Sequence, residues 1–421
     1  MLLSKLDFNT RFEPISENRQ KSNFDNALEG LRGIAALWVA FHHTLGGNFD
    51  PKFQPPSIFH HFTVGREAVL IFFVLSGYVI GLTCINKFSK NNAYSYLLKR
   101  IVRLYPMYLI AIVISYGIDY FIGHKSIDNW QIILGNIFFL QNLFVPVTSS
   151  NGALWSLNYE VVYYLVFLLI WKFRPKLLPL FIGLATIIIL VWIFNPLPNI
   201  LSGYLAGWIF WLLGLFLAWR VPSRVQNIKV PLISIFLLFY ANKELRLGAN
   251  ILDILHFNNP GEIVTFGDIT ILPISILLIA IVSNRIILNK ASNVYRSLYT
   301  ISLIMPLSII VYSFLKKGGF GSDNYTIAAV EIFLAIAFYG IKLSPSILKY
   351  LAFFGSISYG IYIFHGPIIG IVGYYFPFSG NVWSYLLRLI VWIVLTFSLS
   401  YLMDIKVQPK IRNWVRSNIP I

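Results

Sequence analysis

Leu177-Leu-Pro-Leu-Phe-Ile-Gly-Leu-Ala-Thr-Ile-Ile-Ile-Leu-Val-Trp-Ile-Phe-Asn195 contains no charged side chain and is nearly as long as a bilayer crossing. A helix rises about 1.5 Å per residue, so roughly 20 apolar residues cover a hydrocarbon core of about 30 Å. Just before this stretch stand Lys172, Arg174 and Lys176, a short basic loop. The pattern repeats outward in both directions. Apolar spans are expected at 28–46, 66–86, 102–122, 152–171, 177–195, 203–219, 230–241, 264–283, 298–315, 326–341, 355–374 and 384–403. Trp130–Val145 is apolar too but carries Gln131, Asn136, Gln141 and Asn142, and reads as an interfacial or half-membrane helix. The expected fold is all-α, a polytopic integral membrane helical bundle of about 10–12 transmembrane helices, with twelve as the working count.

Composition points the same way. The chain has 421 residues, 57% of them hydrophobic and 12% charged, against about 25% charged in a soluble domain. A soluble protein would lack the polar surface to cover so large a core, and disordered, collagen-like and coiled-coil readings fall with it. The 35 Phe, 24 Tyr and 11 Trp suit a bilayer with aromatic belts. Cys84 is the sole cysteine, which excludes a disulfide framework and a cysteine-based metal centre.

The net charge of +16 would suggest nucleic acid in a soluble protein; here it tests topology instead. With the N-terminus in the cytoplasm and spans alternating, the inner segments hold 24 of the 33 basic residues, and each has at least two. Positive charge concentrates on the cytoplasmic side of membrane proteins, so both termini are expected inside and no feature calls for nucleic acid. Residues 1–27 read as a cytoplasmic tail without the apolar core of a signal peptide, 28–404 as the transmembrane domain and 405–421 as a cytoplasmic C-terminal tail.

Titratable groups within spans are costly and are functional candidates. Three have plain structural readings: Arg388, one turn into the last span, reaches a headgroup by snorkelling, Glu331 reaches the interface, and Glu67 stands beside Arg66. Arg32 and His43 are harder to explain away. Eleven residues at 100° each bring them within about 20° of one helix face, roughly 16 Å apart along the axis. Gly30 and Gly33 leave backbone accessible beside Arg32, whereas His42 is turned away from His43.

Three further segments carry chemistry. Arg100 and Arg103 are i,i+3 neighbours, able to clamp a phosphate or pyrophosphate or to bind lipid headgroups. In Trp155-Ser156-Leu-Asn-Tyr-Glu160 the carboxylate can pair with a buried Arg or His, or serve structure alone. Ser358-Tyr-Gly-Ile-Tyr-Ile-Phe-His365-Gly-Pro367 places a histidine before an expected helix break. No nucleophile elbow, Walker loop or H-E-x-x-H occurs. The adjacent pairs His42-His43 and His60-His61 lack metal-ligand spacing, so no metal is expected.

Taken together, these segments resemble the acyltransferase-3 family of polytopic membrane acyltransferases. Leu28-Glu-Gly-Leu-Arg32-Gly-Ile-Ala-Ala36 with Phe41-His42-His43 resembles its first-helix signature, including the Arg-x10-His spacing. Ile71-Phe-Phe-Val-Leu-Ser76-Gly77-Tyr-Val-Ile80 resembles the second-helix signature, and Arg100-Ile-Val-Arg103 the R-x-x-R motif. Trp155–Glu160 and Ser358–His365 are similar to two later family segments, and the five follow the family's order over roughly residues 28–404. One departure is Val69-Leu70-Ile71, where many members carry an Asp before the Phe pair; here the nearby acid is Glu67.

The resemblance implies an O-acyltransferase that moves an acetyl or other acyl group from cytoplasmic acyl-CoA, a co-substrate and not a resident cofactor. The implied acceptor is a hydroxyl of a cell-surface or lipid-linked glycan. Arg100, Arg103 and Arg32 would bind the donor, His43 would be the general base, and Glu160 would orient it. Trp155, Ser156, His42, His365 and Ser76 would support substrate. The other partners implied are membrane lipids, and the location is a bacterial inner membrane. The alternatives are a proton-coupled transporter of a sugar or organic anion, using Arg32, Glu160 and His43, and a partner of glycan polymerisation or flipping.

Overall fold

The computed structural model describes residues 11–14, 26–45, 49–56, 59, 64–123, 129–194, 199–222, 228–285, 293–319 and 323–418. His60-His61 and the basic residues Lys5, Arg19, Lys21, Arg224 and Lys290 lie outside the described residues. Among the described residues the regular elements are helices. Among the described residues six helices are long and apolar enough to cross a membrane, and a bent pair makes a seventh candidate. The protein is thus a multi-pass membrane protein with an all-α fold.

The chain divides into two compact units. The first comprises 1–28, 70–86 and 169–350, the second 29–69, 87–168 and 351–421. In chain order the helices are α1 (Asn26–Leu45), α2 (Arg66–Thr83), α3 (Lys90–Phe121), α4 (Trp130–Ile137), α5 (Trp155–Phe173), α6 (Leu177–Phe194), α7 (Asn199–Arg220) and α8 (Leu232–Glu244). They continue with α9 (Leu247–Ile254), α10 (Leu272–Val282), α11 (Asn293–Lys317), α12 (Asp323–Ala337), α13 (Ala352–Ser356), α14 (Ser358–Tyr375), α15 (Val382–Tyr401) and α16 (Gln408–Asn418).

Two glycines let two helices of the first unit pack closely. A Cβ on Gly77 would lie 1.9 Å from the Trp211 carbonyl oxygen, and one on Gly214 1.9 Å from that of Val74. α2 and α7 therefore cross backbone to backbone, as small residues permit in membrane helices. Across that crossing Trp219 Nε1 donates to the Gly81 carbonyl at 2.9 Å. Arg285, expected among the loop charges, is buried here at 3% exposure. Its Nε donates to Tyr78 Oη at 3.1 Å and its Nη1 to the Val221 carbonyl. Along α6, by contrast, Ile182, Ile187, Ile189 and Leu190 are exposed, the apolar outer face a bilayer would cover. Glu331, expected to reach the interface, is instead buried on α12 at 7% exposure. The expected seventh, eighth and tenth spans are short helices: α8 has 13 residues, α10 has 11 after a 3-10 turn at Phe266–Ile271, and α12 has 15.

The second unit contains most of the candidate residues. α3 runs for 32 residues, starting at a Ser89 cap whose Oγ accepts from Asn92 N at 3.1 Å. Arg100 and Arg103 therefore lie well inside a continuous helix. Prolines within helices leave the carbonyl four residues earlier without a donor, and two side-chain amides fill the gaps. Gln408 Nε2 donates to the Val102 carbonyl at 2.6 Å below Pro106. Asn151 Nδ2 donates to the Ile363 carbonyl at 2.9 Å below Pro367. α14 consequently runs unbroken past Gly366-Pro367, and the break expected there falls at Ile357, where the axis bends by 55°.

Candidate functional site

Arg32 and His43 both lie on α1, near its two ends. At the N-terminal end Arg32 Nη1 meets Glu29 Oε1 at 3.1 Å. Arg32 also interacts electrostatically with Arg103, Asp404 and Glu160. Glu160 accepts a hydrogen bond from the Tyr164 hydroxyl one turn on. Arg100 lies over two rings at once, 5.6 Å from the centroids of both Tyr96 and Tyr164. This contact orients a guanidinium while leaving its N–H edge for other partners. Asp404 accepts from the Gly360 amide at 2.7 Å, and Tyr359 Oη donates to the Leu104 carbonyl at 2.9 Å beside it. Three arginines and three acids are thus gathered in one cluster.

At the other end of α1, His43 is exposed and its ring stacks on that of His365, with centroids 5.2 Å apart and planes at 26°. His42 meets His43 edge-on at 5.4 Å. A Cβ on Gly65 would lie 2.7 Å from the His42 ring, so Gly65 leaves room for that imidazole. His365 is 1% exposed, and its Nδ1 lies 3.1 Å from the Ile361 carbonyl. A carbonyl only accepts, so Nδ1 carries the proton and Nε2 is the free nitrogen of the neutral ring.

α14 joins the two ends. Tyr359, Tyr362 and His365 are spaced by three, so successive members are neighbours on the helix. Tyr359 interacts electrostatically with Glu160, Asp404 and Arg103. Tyr362 Oη donates to the Ala153 carbonyl at 2.9 Å and lies 2.6 Å from Ser156 Oγ. A phenol has one proton, so the Ser156 hydroxyl donates to Tyr362. Trp155 packs edge-on against Tyr159 at 5.3 Å, and its carbonyl accepts from Asn142 Nδ2 at 3.3 Å.

Nine of the ten candidates from the sequence belong to the second unit: Arg32, His42, His43, Arg100, Arg103, Trp155, Ser156, Glu160 and His365. Ser76 belongs to the first, where its Oγ accepts from Trp211 Nε1 at 3.3 Å. The sequence reading missed Asp404, Tyr164 and Tyr359. Tyr359 and Tyr362 were visible as the tyrosines of the S-Y-x-x-Y-x-x-H segment, whereas Asp404 gave no signal beyond its position at the end of the last span. Among the described residues no group of three His, Cys, Asp or Glu could hold a metal.

Comparison with known proteins identifies the family of this polytopic bundle, which carries a cationic cluster and an exposed imidazole on one helix. The family described as "Acyltransferase domain" matches residues 25–405. The chain belongs to this acyltransferase-3 family. It is 27% identical to the acyltransferase MdmB of Streptomyces mycarofaciens over 36% of this chain and 40% of that one. It is 28% identical to the peptidoglycan O-acetyltransferase OatA of Listeria monocytogenes over 38% of this chain and 27% of that one. It is 26% identical to an O-acetyl transferase of Shigella phage Sf6 over 34% and 44%. The matched stretch thus spans less than half the length of each of these relatives. No solved structure matches the chain.

Proposed function

We propose that the protein is an integral-membrane O-acetyltransferase that moves an acetyl group from cytoplasmic acetyl-CoA to a hydroxyl of a cell-surface or lipid-linked glycan. The observation that carries this reading is the exposed imidazole of His43 at the opposite end of α1 from the arginine cluster. Its relatives add support, one being named for peptidoglycan O-acetylation.

In this reading Arg100 and Arg103 hold the donor's phosphates by charge-assisted hydrogen bonds. Arg32 draws the donor on into the bundle. At the far end His43, as neutral imidazole, takes the proton of the acceptor hydroxyl. The alkoxide oxygen bonds to the thioester carbonyl carbon, the carbon–sulfur bond breaks, and the imidazolium returns its proton to the departing thiolate. His365 backs the His43 ring and keeps its own Nδ1–H on the Ile361 carbonyl. Glu160 and Asp404 balance the arginines until the anionic donor arrives. The assignment places residues 28–404 in the inner membrane of a bacterium as one transmembrane domain, with both tails cytoplasmic and lipids around it.

Mass spectrometry of surface polysaccharides from cells with and without the gene tests the proposal. Acetyl groups present only when the gene is present are expected, and they disappear with His43→Ala. Unchanged acetyl content in the absence of the gene, or full acetylation by His43→Ala, overturns it. Substrate uptake into vesicles without consumption of acetyl-CoA would point to a transporter instead.

A further inference from the structure

One stripe of α15, outside every motif noted in the sequence, touches each part of the histidine end. Tyr385, Arg388 and Trp392 follow one another at i, i+3 and i+7, the spacing of a single helix face. Tyr385 Oη donates to the Thr44 carbonyl, next in sequence to His43, at 3.2 Å. Trp392 Nε1 donates to the carbonyl of His365 itself at 3.0 Å, and its ring meets Phe41 edge-on at 5.6 Å. Between them Arg388 Nη2 donates to the Phe49 carbonyl at 2.7 Å, and Nη1 pairs with Asp50 at 3.2 Å.

The ion pair is buried, with side-chain exposures of 1% and 0%. The Arg388 guanidinium also stacks on Phe378 at 4.0 Å and lies 5.0 Å from the Phe49 ring. Arg388 therefore does not snorkel to a headgroup as expected; its partner is an acid from the loop that follows α1. A buried pair costs much to desolvate, and breaking it is far more damaging than replacing both members. Such a pair suits fixing a geometry better than adding stability. The three donors fix the α1 exit after His43, the loop beyond it, and the His365 turn to one rigid helix.

We propose that Tyr385, Arg388 and Trp392 are positioning residues that set the His43–His365 geometry, with Asp50–Arg388 locking the outer loop over α15. This proposal rests on the acetyl-transfer reading, but its test does not depend on that reading alone. Tyr385→Phe removes one donor and keeps the ring packing, whereas Trp392→Phe removes one donor together with part of a buried ring. In the purified full-length protein each is expected to lower kcat about tenfold, with the KM for acetyl-CoA unchanged, since small misplacements of reacting groups are costly. Asp50→Asn and Arg388→Gln should each do the same, and the double variant should lose less than the product of the two.

Modification by diethyl pyrocarbonate, mapped by mass spectrometry, gives a second readout. In the wild type the exposed His43 is expected to react and the buried His365 to be protected. In Trp392→Phe and Tyr385→Phe the protection of His365 relative to His43 should fall several-fold. Unchanged kcat together with an unchanged His43/His365 reactivity ratio overturns the scaffold, whether or not it folds less well. If the wild type transfers no acetyl group, the acetyltransferase reading fails, and the reactivity ratio alone then decides the scaffold.

Discussion

Arg32 and His43 share one helix, yet their surroundings differ in kind. Around Arg32 the partners are ions: Glu29 at 3.1 Å, with Glu160, Asp404 and Arg103 in electrostatic reach. Around the histidines the fixed partners are backbone carbonyls and aromatic faces, those of Ile361, Thr44 and His365, and the His365 ring under His43. A balanced ionic cluster can accept an anionic guest by exchanging partners. At the histidine end the Ile361 carbonyl fixes the Nδ1–H tautomer of His365 and leaves its Nε2 unprotonated. In the proposed reading this contrast assigns donor binding to the ionic end and proton transfer to the histidine end.

Two substitutions on α1 should separate the ends. His43→Ala is expected to have the largest effect, a fall in kcat of about 10²–10⁴-fold, the range for loss of a general base. Because His43 is exposed, the amount of folded protein in membranes should hardly change, and acetyl release from labelled acetyl-CoA measures the loss. Arg32→Gln should act differently. Loss of one charge-assisted contact is worth about 1.5–3 kcal/mol, or roughly 10–150-fold in kcat/KM, carried mainly by a higher KM for acetyl-CoA. If Arg32→Gln lowered kcat alone, the division of labour between the ends would be wrong.

That division was half legible in the sequence. The eleven-residue spacing put Arg32 and His43 on one helix face, because helical periodicity is local. The i,i+3 pair Arg100 and Arg103 and the tyrosines of the Ser358–His365 segment were visible for the same reason. Partners from distant segments were not. Nothing in the spacing of Asp50 and Arg388 marks them as an ion pair, so the rule that a lone arginine near a span end reaches for headgroups gave the wrong environment. Arg285 was misplaced likewise, since counting basic residues by loop tests topology and says nothing of burial. Pro106 and Pro367 announced freed carbonyls, but Gln408 and Asn151, which satisfy them, come from segments far away in sequence. The helices α10 and α12 were drawn too long at one end because apolar runs continue past their helical ends into 3-10 turns, whereas α8 runs on to Glu244, past the expected end at 241.

A third substitution tests the ionic end with the opposite sign. Glu160 accepts from Tyr164 beside Arg100 and Arg103. Glu160→Gln keeps the shape and an acceptor but removes one negative charge from a cluster expected to receive phosphates. The KM for acetyl-CoA should therefore fall, by about 3–5-fold if the charge acts through a high effective dielectric at a distance of several ångströms. A rise in KM would mean that Glu160 orients a donor-binding arginine and does not compete with the donor for it. Arg32→Gln and Glu160→Gln thus bracket the cluster from both sides.

The neutral chain beside the histidines should show in stability, and there the order of two variants is the informative result. Ser156 donates to Tyr362, which donates to the Ala153 carbonyl. Tyr362→Phe removes the middle member, stranding a buried carbonyl and a buried hydroxyl. An unsatisfied buried polar group costs about 1–3 kcal/mol, so this variant should unfold at clearly lower denaturant in detergent. Ser156→Ala removes only the outermost donor. The Tyr362 hydroxyl keeps its bond to Ala153, and the expected cost is about 0.5–1 kcal/mol, an ordinary net hydrogen bond. Were Ser156→Ala the more damaging of the two, the chain would run the other way, with Tyr362 donating to Ser156 and the serine proton satisfying a different acceptor. The midpoints of the two variants therefore report the direction of the hydrogen-bond chain from Ser156 through Tyr362 to Ala153.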